Sequence, residues 1–546
     1  MKINRRSVAI ATSMIALSFG LVACGGGSEN ADKARTLHIG NSAEPLSLDP
    51  HQASGTWENR IIGDMLIGLT TEDQSARPIP GMATEWTTSA DGLVWTFRLR
   101  EAKWSDGTPL TANDFVYAWQ RIMTSKPPAK YASLLYVIKN AEEIYNGTIK
   151  DANQLGVKAI DDRTLVVTLK HPAPYLPGLL THYTAFPIPK HVVEKVGNDW
   201  IKAENFVGNG PFKLQQWKPN DFIHVVRNTN YWDNANVCLN QIYYYPTTDE
   251  TAAERRVRTG ALDINTNFLG SRLEEINKNL PGYARIHGYT GLTYYIFNMR
   301  KAPFTDVRVR EALSMVVDRE FITKEILKAG QQPAYSLVPP GISQYESGQE
   351  HVNFKGEPLD ARLVRAKALL EQAGFGPNKP LKFTFSFRNS GDNPRVAPVV
   401  QQNWAKIAPW VQVEILGSDT QIAYEKLRNG DFDVGDAGWI SDFNDAKNFN
   451  YLFQTNTDQL NYGKYSNPEF DRLMAAADVE KDANKRARLM KDAEAIVLRE
   501  HGLMPMWFLT NRNLVSPRVT GWVDNAVDIH RARYLCTTDA AKENKK

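Results

Sequence analysis

The chain is poor in cysteine, in net charge and in long apolar runs, and each shortage excludes a class of protein. Three cysteines in 546 residues cannot build a disulfide-dense scaffold, and without a Cys-x-x-Cys pair they form neither a zinc ribbon nor a dithiol redox motif. The 64 Lys and Arg stand against 61 Asp and Glu, and the excess lies in Lys2, Arg5 and Arg6 at the extreme amino end. The rest of the chain is balanced, so no nucleic-acid partner is expected. A long apolar run occurs once, from Val8 to Val22, interrupted by Thr12, Ser13, Ser18 and Gly20. It falls short of the ~20 residues that span a bilayer, and no later segment comes closer.

The local signatures of bond-making chemistry are also missing. There is no Gly-x-Ser-x-Gly elbow and no His-Glu-x-x-His, and no two of the ten histidines stand four residues apart as ligands on one helix face would. Gly208-Asn209-Gly210-Pro211 fits neither a phosphate-binding loop nor a dinucleotide fingerprint and reads as a tight turn. No catalytic residue, metal or cofactor is expected.

What is present begins with an export signal. Lys2, Arg5 and Arg6 precede the apolar run, the pattern of a signal peptide over residues 1–23. Leu21-Val22-Ala23-Cys24 resembles the lipobox of bacterial lipoproteins, in which the cysteine is acylated and becomes the new amino terminus. Gly25-Gly26-Gly27-Ser28 then suits a flexible tether over 24–34. The expected location is extracytoplasmic, in the periplasm, anchored to a membrane through acylated Cys24.

About 520 residues remain, more than one core usually serves, so two or three domains are expected. With Cys24 assigned to lipid, Cys238 and Cys536 are either bridged or two separate buried thiols; a bridge closing so long a loop would be credited with up to ~5 kcal/mol. The 13 Trp, 21 Tyr and 22 Phe exceed what a core alone asks for and suit a cleft that accepts varied side chains by stacking. Alternation marks strands at Leu93 to Arg100 and at Leu165, Val167 and Leu169. In the later half Leu381 to Phe387 form a strand face, Val396, Val400, Trp404 and Ile407 a helix face, and Val411, Val413 and Ile415 another strand. That order predicts a parallel or mixed sheet flanked by helices. Further helices are predicted after the Thr305-Asp306 cap and from Leu489 to a stop at Gly502.

Several stretches, in order along the chain, resemble the solute-binding proteins of peptide ABC transporters (family 5). They include Ser47-Leu48-Asp49-Pro50-His51, Trp95 to Arg100, Lys103-Trp104-Ser105-Asp106-Gly107-Thr108-Pro109, Leu155 to Asp162, Tyr231-Trp232 and Pro303 to Arg310. The resemblance spans nearly all of the chain after the leader. It implies an α/β, two-lobed periplasmic binding protein fold (type II, cluster C), with an extra domain in the first lobe and ligand enclosed between lobes. Lobe I would comprise 31–66, 190–290 and 510–540, the extra domain 67–189 and lobe II 291–509. The implied partners are an oligopeptide or peptide-like ligand and the permease and ATPase subunits of an importer, with the protein itself a monomer.

Residue by residue, the resemblance places Asp442, in Gly438-Trp439-Ile440-Ser441-Asp442-Phe443, where the family pairs an acid with the peptide α-ammonium. It places Gly55, Thr56, Gly438 and Ile440 along the peptide backbone, and Tyr131, Asn267, Tyr294 and Trp439 at side-chain pockets. Where relatives hold basic residues for the peptide carboxylate, this chain has Asp436, Asn393 and Leu327. Arg388, Arg395 and Arg428 are the candidates to take that role at another depth. An acid at 436 is expected to repel a carboxylate, or else to meet a second amine on the ligand. Cysteines that some relatives carry at 291 and 440 are here Gly291 and Ile440.

Overall fold

The computed structural model describes residues 34–543 except 343, 456, 458 and 459; the leader, Cys24 and nearly all of the expected tether lie outside the described residues. The alternating aromatics of strand Leu381–Arg388 turn Phe383, Phe385 and Phe387 inward. Helix Asn393–Ala405 answers with Trp404, which meets Phe383 and Phe385 edge to face at 5.2 and 5.4 Å between ring centroids. Each such side chain contributes roughly 1.5–3 kcal/mol of burial. Strand Val411–Ser418 then runs parallel to Leu381–Arg388. Helix Val307–Met315 starts where its cap predicts, with the Asp306 carboxylate accepting from Arg308 N at 2.9 Å.

One mixed sheet runs through the whole molecule. At one end lie Phe212–Lys218, Phe222–Arg227, Gln241–Tyr245, Thr36–Gly40 and Ile264–Thr266; at the other lie Val434–Ile440, Leu381–Arg388 and Val411–Ser418. Two long antiparallel strands, Ala284–Phe297 and Met504–Val515, join the ends. Their ladder is interrupted between Gly288 opposite Thr510 and Leu292 opposite Phe508. A separate four-stranded sheet, Ala83–Thr88, Val94–Leu99, Thr164–Thr168 and Val157–Asp161, packs with helix Ala112–Thr124.

The apolar cores explain why this is two lobes. Phe97 and Trp119 of the four-stranded unit belong to the same buried cluster as Leu37 and Ile242, so that unit and the first lobe are continuous. Leu313, Phe385 and Trp404 belong to a different cluster. Among the described residues the two crossover strands tie the lobes through the sheet, and the break in their ladder falls between Gly288 and Leu292.

Two sequence readings are resolved by packing. Gly208-Asn209-Gly210 is less a turn than a close approach: a Cβ on Gly208 or Gly210 would sit 2.4–2.5 Å from the backbone of Met65, and the Asn209 amide brackets Ile67 N and O at 3.0 and 2.9 Å. Cys238 and Cys536 are joined, with Cα atoms 5.4 Å apart, closing the carboxyl-terminal segment onto the first lobe.

Candidate ligand site between the lobes

Strand Val434–Ile440 is the floor of the site. Along one edge it pairs with Gly291–Phe297 over its whole length, with Gly291 directly opposite Ile440. Along the other edge only Val434 and Gly435 have a partner, in Phe385 and Ser386. From Asp436 to Ile440 that edge carries no strand among the described residues. The Gly438 carbonyl is on this open side, where the Tyr424 hydroxyl approaches at 3.5 Å. An open strand edge inside a protein is a template for an extended peptide, read through main-chain hydrogen bonds that ignore side-chain identity.

The strand runs into a loop that presents Asp442. Asn448 Oδ1 accepts from Trp439 Nε1 at 2.7 Å and from Asp442 N at 3.3 Å. Ser441 is tied to Thr290 on the crossover strand by backbone and hydroxyl bonds of 2.9 and 2.7 Å. Asp445 is held by a bidentate Arg486 at 2.6 and 2.9 Å. These bonds tie the loop down, yet the Asp442 carboxylate has no cation and no donor among the described residues, and burial pushes its pKa up to about 7. Its charge reaches the phenols of Tyr131, Tyr183, Tyr289 and Tyr451, each raised first by burial.

The other end of the open edge is built differently. Asp436 is buried and is clasped by Arg388, Nε to Oδ2 at 2.8 Å and Nη2 to Oδ1 at 3.0 Å; Arg388 Nη1 goes on to Tyr424 OH at 3.1 Å. Burial pulls the Arg388 pKa down, but the Asp436 carboxylate outweighs it and holds the guanidinium protonated. Asp436 is therefore not the isolated acid that would repel a carboxylate or call for a second ligand amine; the pair is neutral. Arg388, a candidate carboxylate partner by position, has its charge matched by Asp436 and three of its five N–H groups bonded within the wall.

The remaining candidates are dispersed. Arg395 is held by Asp392 at 3.0 Å and by the Ile326 carbonyl at 2.6 Å. Arg428 is exposed, lies beside Tyr424 in a surface depression, and has no ion-pair partner among the described residues. Asn267 donates to Glu250, which feels the charges of Arg512 and Asp392. Gly55 N donates to Glu58 Oε2 at 2.6 Å, and Thr56 opens the helix Thr56–Met65; the Glu58 charge reaches Tyr131 and Tyr183, which brings this segment to the Asp442 side. Tyr294 is buried, its ring edge-on to Phe453 at 6.2 Å, and Trp439 stands edge-on to Tyr451 at 5.9 Å.

Sequence reasoning missed Tyr183, Tyr289, Tyr451, Tyr424, Tyr462 and Tyr175; the aromatic excess was the single signal, and it names no positions. Tyr175, on the four-stranded unit, stacks on Phe443 of the other lobe at 5.1 Å and 13°. Lys447 and Arg486 lie over its ring at 5.8 and 5.2 Å. The lobes are thus in contact beside Asp442, in a closed arrangement.

Two lobes on a shared sheet, joined by two crossover strands and carrying an open strand edge, define a binding protein. The sequence pattern of bacterial extracellular solute-binding proteins, family 5 Middle, matches residues 77–461, and the chain belongs to that family. It is 38% identical over 521 residues to the periplasmic oligopeptide-binding protein OppA of Salmonella typhimurium, covering 94% of each chain. It superposes on Haemophilus influenzae OppA in complex with RPPGFSPFR with TM-score 0.82 and 34% identity, covering 93% of this chain and 99% of that one. For the Escherichia coli murein tripeptide-binding protein MppA the TM-score is 0.83 at 34% identity, covering 92% and 98%. Against that protein's unliganded open form it falls to 0.76, in keeping with the closed contact at Tyr175. The fold is the two-lobed type II binding-protein fold, and such relatives are substrate-binding transport proteins.

Proposed function

We propose that this chain is the peptide-capturing subunit of an ABC importer: it binds oligopeptides by lobe closure and delivers them to the membrane permease and its ATPase subunits, without breaking or making a covalent bond. The lobes would be 31–66, 190–290 and 510–540 against 291–509, with 67–189 as the extra domain. The protein would be exported, cleaved before Cys24 and held to a membrane by lipid on that residue.

The observation that carries this reading is the unpaired carboxylate of Asp442, enclosed between tyrosines at the end of an open strand edge. A carboxylate in a water-poor cleft is costly unless a cation joins it. A peptide with its α-ammonium at Asp442 and its backbone along Ile440 and Gly438, facing Gly55 and Thr56, satisfies both features at once, while Tyr131, Asn267, Tyr294 and Trp439 receive side chains. Native mass spectrometry of protein purified from its own compartment should reveal bound peptides. N-acetylation of a binding peptide should remove most of its affinity; full affinity of the acetylated form would sink the assignment of Asp442. A Cys24→Ser form should appear in the soluble fraction rather than with membranes.

A further inference from the structure

The two ends of the open edge differ in whether charge is available, and this bears on ligand length. An extended ligand strand advances at the same ~3.3 Å per residue as the strand it pairs with, so a peptide whose first residue lies beside Ile440, where the strand ends, reaches the depth of Gly438 at its third residue. There it meets Arg388, whose Nη2 lies 3.5 Å from where a Gly438 Cβ would be. Three of that guanidinium's five N–H groups are bonded, on Nε and Nη2 to Asp436 and on Nη1 to Tyr424, and its charge is matched by Asp436. The pair is neutral, so the α-carboxylate of a dipeptide or tripeptide would be enclosed there without a counter-charge, which is strongly disfavoured. Beside Tyr424, in the same surface depression, lies Arg428, exposed and without an ion-pair partner among the described residues. Its charge reaches both Tyr424 and Tyr462.

We propose that the cleft reads the amino end of its peptide and not the carboxyl end: it takes peptides of four or more residues, whose carboxylate passes the neutral Arg388–Asp436 pair and ends at the rim near Arg428 or in solvent. This rests on the peptide reading above, and the Asp436 clasp is what excludes the shorter ligands.

The test uses alanine peptides of two to six residues, each as free acid and as C-terminal amide, titrated calorimetrically into the full mature protein. From four residues upward, acid and amide should agree within about threefold, and the dipeptide and tripeptide acids should bind at least tenfold more weakly than the pentapeptide. Asp436→Asn, which frees the guanidinium while keeping a hydrogen-bonding side chain beside it, should raise the affinity of the tripeptide acid about tenfold over its amide. A wild-type protein that binds the tripeptide acid as tightly as the pentapeptide, and loses tenfold on its amidation, would overturn the inference with no variant needed. Length-independent failure of both acids and amides would instead overturn the peptide reading on which it rests.

Discussion

Asp436 and Asp442 stand six residues apart on one strand and the loop that follows it, both drawn away from water, and they have opposite fates. Asp436 is answered within its own lobe by a bidentate arginine. Asp442 has no counter-charge among the described residues, and burial alone raises its pKa to about 7. An internally neutralised acid is part of a wall. An acid left unpaired is a request for a cation from outside, and because it lies where the lobes meet, its cost rises on closure: an open cleft hydrates it fully, and a closed empty one only in part.

The largest effect that would sharpen the contrast is on the paired end. Arg388→Met strands a buried carboxylate and should lower stability by about 3–5 kcal/mol, while Arg388→Met with Asp436→Leu should regain most of it. Denaturant unfolding of both variants checks this; a single variant as stable as the wild type would mean that Asp436 is solvated after all. At the unpaired end the outcome should invert. Asp442→Asn should leave the fold intact and weaken peptides with a free amino terminus by about 2–4 kcal/mol, as the loss of one partner from an enclosed charge pair does, measured by calorimetry.

The same asymmetry has a pH signature. The closed-form pKa of Asp442 lies above its ordinary carboxylate value, so between roughly pH 4 and 7 the closed, empty form holds a proton that an open form has released. Closure of the empty protein should therefore become easier as pH falls from 8 to 5, by up to about 1.4 kcal/mol per unit within that window. Small-angle scattering should give a smaller ligand-free radius of gyration at pH 5 than at pH 8, and Asp442→Asn should erase the difference. The smallest effect is expected at the neighbouring contact. Tyr175→Ala removes a stack and two cation–π contacts, weakening peptide binding by about 1–2 kcal/mol through closure alone. Tyr175→Phe should restore it, because the ring and not the hydroxyl makes the contacts.

Much of the frame was legible because it depends on neighbours in the chain. The inward aromatics of Leu381–Arg388 follow from the period of a strand, and the start of Val307–Met315 from an aspartate two residues before the amide it caps. The Arg388–Asp436 clasp was not legible, since its partners are 48 residues apart and meet because two parallel strands bring Ser386 beside Gly435. The Tyr175 contact was invisible for the same reason. Tyrosine is abundant, and only the closed arrangement of the lobes selects this one.

By itself the amino-acid sequence determined many of the elements and the family, because periodicity, caps and ordered motifs are properties of residues close in the chain. The tertiary structure alone decided which of two nearby aspartates has a counter-charge and which has none among the described residues. Charge compensation acts through space over a few ångströms, and the fold sets which distant side chains come that close.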